Sequence, residues 1–584
     1  MFTTTRQLTA GAAALLSAGA TIAQVSTFDL SSKLLTIPSV SVGSSTFADV
    51  SLLADDNFVF SLRGATEQKP AGPGVATYDL GRGVVILPAV QVGADTYLDV
   101  TLADSGNNTF ALQGATLLAA ATLAEIKAFA ASYDALWARA VPASGAMATS
   151  MMDACYRSSG RTRAWLTADF DQDLASSLAA GAYNVGATRT KIQVLALRNQ
   201  ANADGSSRRE VDVQYDIGYA DGSRTRDVRE TLISGSSAGT PGCASAQSSA
   251  GWRFLGNQRL VGFSLDARTL REARHSMATG AALNPEVRYR RDIRVRVSDP
   301  LANATHVVVS GPGPGVTVNG VNQLWAWKMV SPFLMRSAPE LAGKSGNYVN
   351  FEDDDGFRYC GVNGTGTPQA SLADCLTYGA QGDNWGWGYT STPDAAADQG
   401  FANQGWAVGG VYRIDVYNDD GWKTVNGQAG RTPIATYYET LKALPHTFVE
   451  MAGSGTSPTT TDQFARLNLG ALGATGVLAN SKSATPAALA LSWSTQPPLS
   501  TLQPLRLVQG WEYAEGLKTG SASGASWPRV RQLTSTYPGP TATSAAAWPA
   551  AARPAESSSR SYLEYLLYFS DRNQGIVQSR ISFQ

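Results

Sequence analysis

Three observations predict that this 584-residue chain is mainly β and multi-domain. A pattern near the N-terminus recurs once at an offset of 50 residues. Short runs along the rest of the chain alternate apolar and polar residues, as half-buried strands do. Charged residues make up only 16% of the chain and glycine occurs 57 times, a composition that suits strands joined by polar turns. Five segments are expected: 1–23 as a signal peptide, 24–118 as two tandem β repeats of period 50, 119–270 as an α+β domain, 271–452 as a β-sandwich with a long aromatic and acidic insertion, and 453–584 as a C-terminal β-sandwich.

In residues 1–23, Arg6 is the only charge before Asp29, and an apolar or small stretch ends at Thr21-Ile22-Ala23. That is the form of a secretory signal. No later run reaches the ~18 apolar residues of a membrane-spanning helix, so no transmembrane span is expected. The repeat comes next. Its matches include Phe28/Tyr78, Asp29/Asp79, Pro38/Pro88, Val40/Val90, Gly43/Gly93, Val50/Val100, Phe60/Phe110 and Leu62/Leu112. Phe58, Phe60 and Leu62 alternate with polar neighbours and should point inward. Pro38 and Pro88 should open a strand or sit at an edge, because proline donates no ladder hydrogen bond. One copy is too small to bury much surface alone, so the two should associate with each other or with the domain beyond residue 118.

Beyond Ala119 the period becomes helical. Leu123, Ile126, Phe129, Tyr133 and Leu136 share one face, with Pro142 closing the segment. Further helices are expected around Met151, Met152 and Cys155 and over 169–180. Strands should come after them at 191–198, 210–219, 224–233 and 252–265, with Asp221-Gly222 turning a hairpin. Helices ahead of an antiparallel meander describe an α+β layer. This order, with the string Gly251-Trp252-Arg253-Phe254-Leu255-Gly256-Asn257-Gln258-Arg259, resembles the cone-shaped nuclear-transport-factor-like fold over residues 119–265. The resemblance implies helices on one face of a curved sheet. It transfers no catalytic set, since that fold serves enzymes and binding domains alike.

Past Pro285, strands are expected at 293–297, 307–309, 316–318 and 411–417, then at 487–493, 505–513, 562–569 and 576–583. Their rhythm makes 271–584 similar to immunoglobulin-like β-sandwiches. Residues 453–461 read as a flexible linker and 538–559 as a long loop.

Four cysteines allow three pairings. Cys155–Cys243 and Cys360–Cys375 each keep both partners inside one expected domain. A 15-residue closed loop is worth about 3 kcal/mol in the chain-entropy picture. His275, His306 and His446 are scattered, so no zinc site and no serine-histidine-acid triad is indicated. Nucleophile elbows, phosphate loops, dinucleotide fingerprints and metalloprotease helices are missing, and no cofactor is expected.

The insertion holds the densest candidate site. Asp383, Asn384, Trp385, Trp387 and Tyr389 precede Trp406 and Trp422. Exposed aromatic faces flanked by amides and carboxylates can stack on sugar rings and bind their hydroxyls; the same residues can equally fold back onto a core. Glu352-Asp353-Asp354-Asp355 offers oxygen ligands, with Asp353 and Asp355 the weak calcium candidates, or else a solvated acidic loop. Arg288, Arg290, Arg291, Arg294 and Arg296, with Arg268, Arg271 and Arg274, form either a solvated strand face or a patch for acidic glycan or phosphate. A net charge of −1 argues against nucleic acid. These features point to an exported multi-domain binding, adhesion or assembly protein, secreted, periplasmic or at the cell surface and non-catalytic, for which a surface glycan or other extracellular polymer is the candidate partner. The alternative is a carbohydrate-active enzyme built on the 340–422 insertion.

Overall fold

The computed structural model describes residues 25–68, 74–138, 140–175, 184–220, 224–243, 245–276, 278–313, 315–318, 321–324, 327–331, 358–359, 384–419, 432–451, 464–470, 489–494, 505–514, 529–536, 544–548, 562–570 and 575–583. The fold is mainly β. It comprises two compact units, Met1–Thr66 with Gly74–Thr116, and Glu67–Pro73 with Leu117–Gln584.

The first unit is built from the repeat. One copy supplies β1 (Ser26–Asp29), β2 (Leu34–Val42), β3 (Ser45–Ala54) and β4 (Val59–Gln68); the other supplies β5 (Ala76–Asp79), β6 (Val84–Val92), β7 (Asp95–Gly106) and β8 (Thr109–Leu117). They order as β1-β2-β3-β4-β8-β7-β6-β5, and the sheet closes because β1 also runs parallel to β6 and β5 parallel to β2. The closure is an exchange between copies. Thr27 lies opposite Gln91 of the second copy, and its equivalent Thr77 lies opposite Ser41 of the first. Phe60 faces its own equivalent Phe110 where β4 meets β8, which marks a pseudo-two-fold axis.

The seam explains the prolines. On one side β2 pairs with β1 through Leu34–Thr36 and then with β5 through Val40–Val42. Pro38 falls between these stretches, where neither short strand asks it for an N–H. Pro88 occupies the matching place in β6. Both prolines lie inside their strands rather than opening them, at points left unpaired on the seam side, which is the edge-like alternative of the expectation. Phe58 is also corrected: it is 45% exposed at φ 55°, the same left-handed turn position that Asn108 holds at φ 59°. Leu35, Ile37, Val50, Leu52 and Phe60 fill the interior with their equivalents Val85, Leu87, Val100, Leu102 and Phe110. Burying each such side chain contributes roughly 1.5–3 kcal/mol.

The second unit begins with α1 (Ala120–Leu136), α2 (Gly145–Ala148), β9 (Arg157–Ser158), β10 (Arg161–Thr162) and α3 (Arg163–Ala175). A four-stranded antiparallel meander comes after them: β11 (Thr188–Ala201), β12 (Ser207–Gly218), β13 (Arg224–Ser236) and β14 (Ser248–Phe254). α1 matches its helical period and lays Phe129 and Tyr133 on Phe254, with ring centroids 4.9 and 4.8 Å apart. Asp221-Gly222 lies outside the described residues, between strands that do pair antiparallel.

Two elements differ from expectation. Met152 and Cys155 belong to no helix; Met152 instead bridges to Phe254. The single strand expected over 252–265 is split between β14 and β15 (Gly262–His275). Gly256 forces the break. It sits at φ 79°, and a Cβ there would come within 2.2 Å of the Arg157 carbonyl oxygen.

The remaining elements are β16 (Ala282–Ser298), β17 (His306–Ser310), β18 (Gly315–Val318), β19 (Val321–Leu324), β20 (Trp327–Val330), β21 (Arg358–Tyr359), β22 (Asn384–Thr390), α4 (Ala395–Ala402), β23 (Val411–Tyr417), β24 (Ala435–Thr440), α5 (Phe448–Met451), β25 (Arg466–Asn468), β26 (Leu489–Ser494), β27 (Leu505–Ala514), β28 (Arg529–Thr536), β29 (Ser544–Trp548), β30 (Tyr562–Ser570) and β31 (Gly575–Phe583). A seven-stranded sheet runs β22-β16-β15-β31-β30-β27-β28, and a five-stranded sheet runs β21-β20-β17-β23-β24. Leu265, Ala267, Ile293 and Val295 of the first meet Val307, Val309, Ile414 and Val416 of the second in one core.

β15 pairs in parallel with β31, Ala267 opposite Gly575. The boundaries expected at 270 and 453 therefore do not separate sheets. Alternation reports which face of a strand is buried and carries nothing about a partner some 300 residues away. β29 also places a strand inside the stretch expected to be a loop.

Candidate functional site

The aromatic candidates separate. Trp406 is 5% exposed and stacks on Tyr412 at 6.0 Å, with its ring nitrogen donating to Gln404 Oε1 at 3.0 Å. It closes the core between the two large sheets, so the expectation of a free Trp406 face is corrected. Trp385 and Trp387 lie in β22 at register positions opposite Ile293 and Arg291, and Asn384 lies opposite Arg294. Tyr389 belongs to the same strand. Asp383, Trp422, Asp353, Asp355, Cys360 and Cys375 lie outside the described residues. Among the described residues no group of three or more His, Cys, Asp or Glu side chains is placed to hold a metal ion.

The arginines are paired. Arg268 grips Asp292 with both ends of its fork, at 3.0 and 2.7 Å, and Arg290 Nε lies 2.8 Å from the same carboxylate. Glu272 takes Arg288, Arg580 at 3.0 Å and the Ser582 hydroxyl at 2.7 Å. Arg291 reaches Asp398 at 2.8 Å, and Arg296 reaches Asp266 at 2.7 Å. Cross-strand register creates three of these pairs, since Arg268 stands opposite Asp292, and Glu272 opposite Arg288 on one side and Arg580 on the other. The side chains of Asp292 and Glu272 are fully buried, so the cluster is largely internal rather than a solvated strand face. A buried pair resists loss of either partner far more than it adds net stability.

The Cys155–Cys243 disulfide is formed. Beside it, buried Arg253 donates to Asp153 Oδ2 at 2.7 Å and to the Gly235 carbonyl at 2.9 Å. Asp153 in turn accepts the Cys155 backbone N–H at 2.8 Å. This network ties the loop before β9 to the end of the meander.

Sequence reasoning missed the most unusual titratable group, Glu230. It lies on β13 opposite Val213, in step with Val228 and Leu232, on the face of the meander that α1 covers. The residue keeps partial exposure, but its Oε2 is sealed from solvent and has no hydrogen-bond partner. Burial pushes its carboxyl up to about 7, against the pull of Arg189. Burial also raises the hydroxyls of Tyr133, Tyr156 and Tyr215, with the Glu230 charge adding to each. Arg189 sits 4.5 Å from the Tyr133 ring centroid and 5.2 Å from that of Tyr215. The available signal was a carboxylate at an inward position of an alternating strand.

In comparisons with known proteins, no family matches this chain, and neither a curated protein nor a solved structure does.

Proposed function

We propose that the chain is an exported, multi-domain binding, adhesion or assembly protein of the periplasm, cell surface or surroundings, acting without catalysis on a surface glycan or other extracellular polymer. The observation that carries this reading is the exchanged-strand closure of the tandem repeat, directly behind a segment with the form of an export signal. Closure pairs each outer strand, β1 and β5, with a strand of the other copy, so neither is offered to other chains, a property suited to an exposed module. The Cys155–Cys243 disulfide suits an oxidising compartment. For the binding surface, the reading retains Trp385, Trp387, Tyr389, Asn384 and Asp383 and drops Trp406.

Fractionation of expressing cells, with a glycan array and a polysaccharide-hydrolysis screen on the mature protein, tests the reading. Protein outside the cytoplasm that retains polymer without releasing new reducing ends is expected. Cytoplasmic retention would overturn it, and released reducing ends would favour a carbohydrate-active enzyme.

A further inference from the structure

We propose that the end of the barrel beside Asn108 binds an apolar aromatic ring supplied by another molecule, because the opposite end carries such a ring of its own. The pseudo-two-fold axis relates the two ends, and each sets a left-handed turn residue beside a leucine. The Phe58 carbonyl accepts the Leu112 backbone N–H at 3.3 Å, and the Asn108 carbonyl accepts that of Leu62 at 3.0 Å. Phe58 lays its ring on Phe28, with centroids 6.1 Å apart, and Phe28 meets Phe60 edge-on at 5.8 Å. At the other end Tyr78 and Phe110 repeat the inner pair, edge-on at 6.3 Å. Asn108 stands where the third ring would be, at the same backbone conformation as Phe58.

The place that ring would fill is partly open. A cavity of about 30 Å³ lies against Tyr78 and Leu62, the equivalents of the Phe28 and Leu112 that flank Phe58. Val42, Phe47, Ala65 and Phe110 also line it. The Tyr78 hydroxyl already donates to Asp104 Oδ2 at 2.6 Å, so the wall offers hydrocarbon. Phe28 is buried beneath Phe58, whereas Tyr78 is only half-buried. Water gains little from such a surface, and an aromatic face or edge gains both burial and ring contacts.

Apolar cavities that take a whole benzene measure about 150 Å³, so the ring needs more room than stands open. Leu62 holds the rest. It packs on the barrel core, while Leu112 beside Phe58 is 42% exposed. A ring entering beside Asn108 turns Leu62 outward, to the place that Leu112 already takes. Phe58 itself stays half in solvent, so the seat is shallow and leaves the ring's carrier outside. A phenylalanine of a partner polypeptide and a small free aromatic share this chemistry. The site does not rest on the polymer-binding surface proposed for β22.

The full chain would be titrated with N-acetyl-4-fluorophenylalaninamide and with fluorobenzene, each followed by its own fluorine NMR signal. Saturable binding is expected. Tighter binding of the blocked amino acid assigns the ring to a partner's side chain, and tighter binding of fluorobenzene assigns it to a free aromatic. Asn108→Phe copies the plug of the other end and should weaken binding by about tenfold or more. Phe58→Asn copies the open end and should double the number of bound probes. Each substitution gives one copy the residue that the other already carries at that backbone position, so both chains should fold. No saturable binding of either probe to the unmodified chain would overturn the site without recourse to a variant. Binding untouched by Asn108→Phe, or no additional probe on a folded Phe58→Asn chain, would overturn it equally.

Discussion

The N-terminal barrel and the second unit bury different things. The barrel's interior is aliphatic and aromatic, and its ion pair Lys33–Asp56 lies on the surface. The second unit buries Asp292, Glu272, Arg268 and Arg291 beside its apolar core and holds an unpartnered carboxylate oxygen at Glu230. A barrel made of two like copies is specified largely by shape and alternation, and its core residues recur at equivalent positions in both copies. In the second unit, buried charge pairs join β15 to β16, and the Glu272–Arg580 pair joins β15 to the distant β31. The first arrangement should therefore tolerate pH and salt, and the second should respond to both.

Truncation at the pseudo-axis should have the largest effect. Phe60→Ala and Phe110→Ala should each cost about 3–5 kcal/mol by chemical denaturation, and nearly the same amount. Clearly unequal costs would break the symmetry. Asp292→Ala should likewise cost about 3–5 kcal/mol, because Arg268 and Arg290 would be left buried beside an empty place. Little change would mean that water reaches the pair.

Removing the disulfide as Cys155→Ala with Cys243→Ala should cost about 2–4 kcal/mol, since the crosslink spans 88 residues. Glu230→Gln should instead stabilise the chain above neutrality by roughly 2 kcal/mol. Its folded carboxyl is raised from 4.5 to about 7, so the native state holds the proton more tightly. Stability from this group is full below pH 4.5, falls as pH rises through about 7 and is flat beyond. The glutamine variant should lose that decline; parallel pH curves for the two proteins would contradict it. The smallest effect belongs to the equivalent turns after β1 and β5. Asp29 accepts the Ser31 N–H at 2.8 Å and Asp79 the Gly81 N–H at 2.9 Å, and each Asp→Ala should cost about 1 kcal/mol.

The same contrast explains what the sequence disclosed. The repeat, the inward Phe60 and Leu62 of β4, and the helical stripe of α1 were readable because local period fixes which face is buried. Where in their strands Pro38 and Pro88 fall was not readable, because the need for an N–H depends on where β1 ends and β5 begins along the seam. The parallel pairing of β15 with β31 left no local trace. Trp406 looked like a ligand platform because an aromatic in a polar stretch gives no sign of the core it closes. Glu230 escaped notice because one carboxylate among apolar strand positions reads as an interruption, although Val228 and Leu232 share its phase.

The most direct measurement is the folding of residues 24–118 expressed alone. A β-rich circular dichroism spectrum, one cooperative unfolding transition and a monomeric mass are expected, since the two copies complete each other's sheet and share one interior. A random-coil spectrum, or two separate transitions, would contradict the exchanged-strand barrel on which the comparison rests.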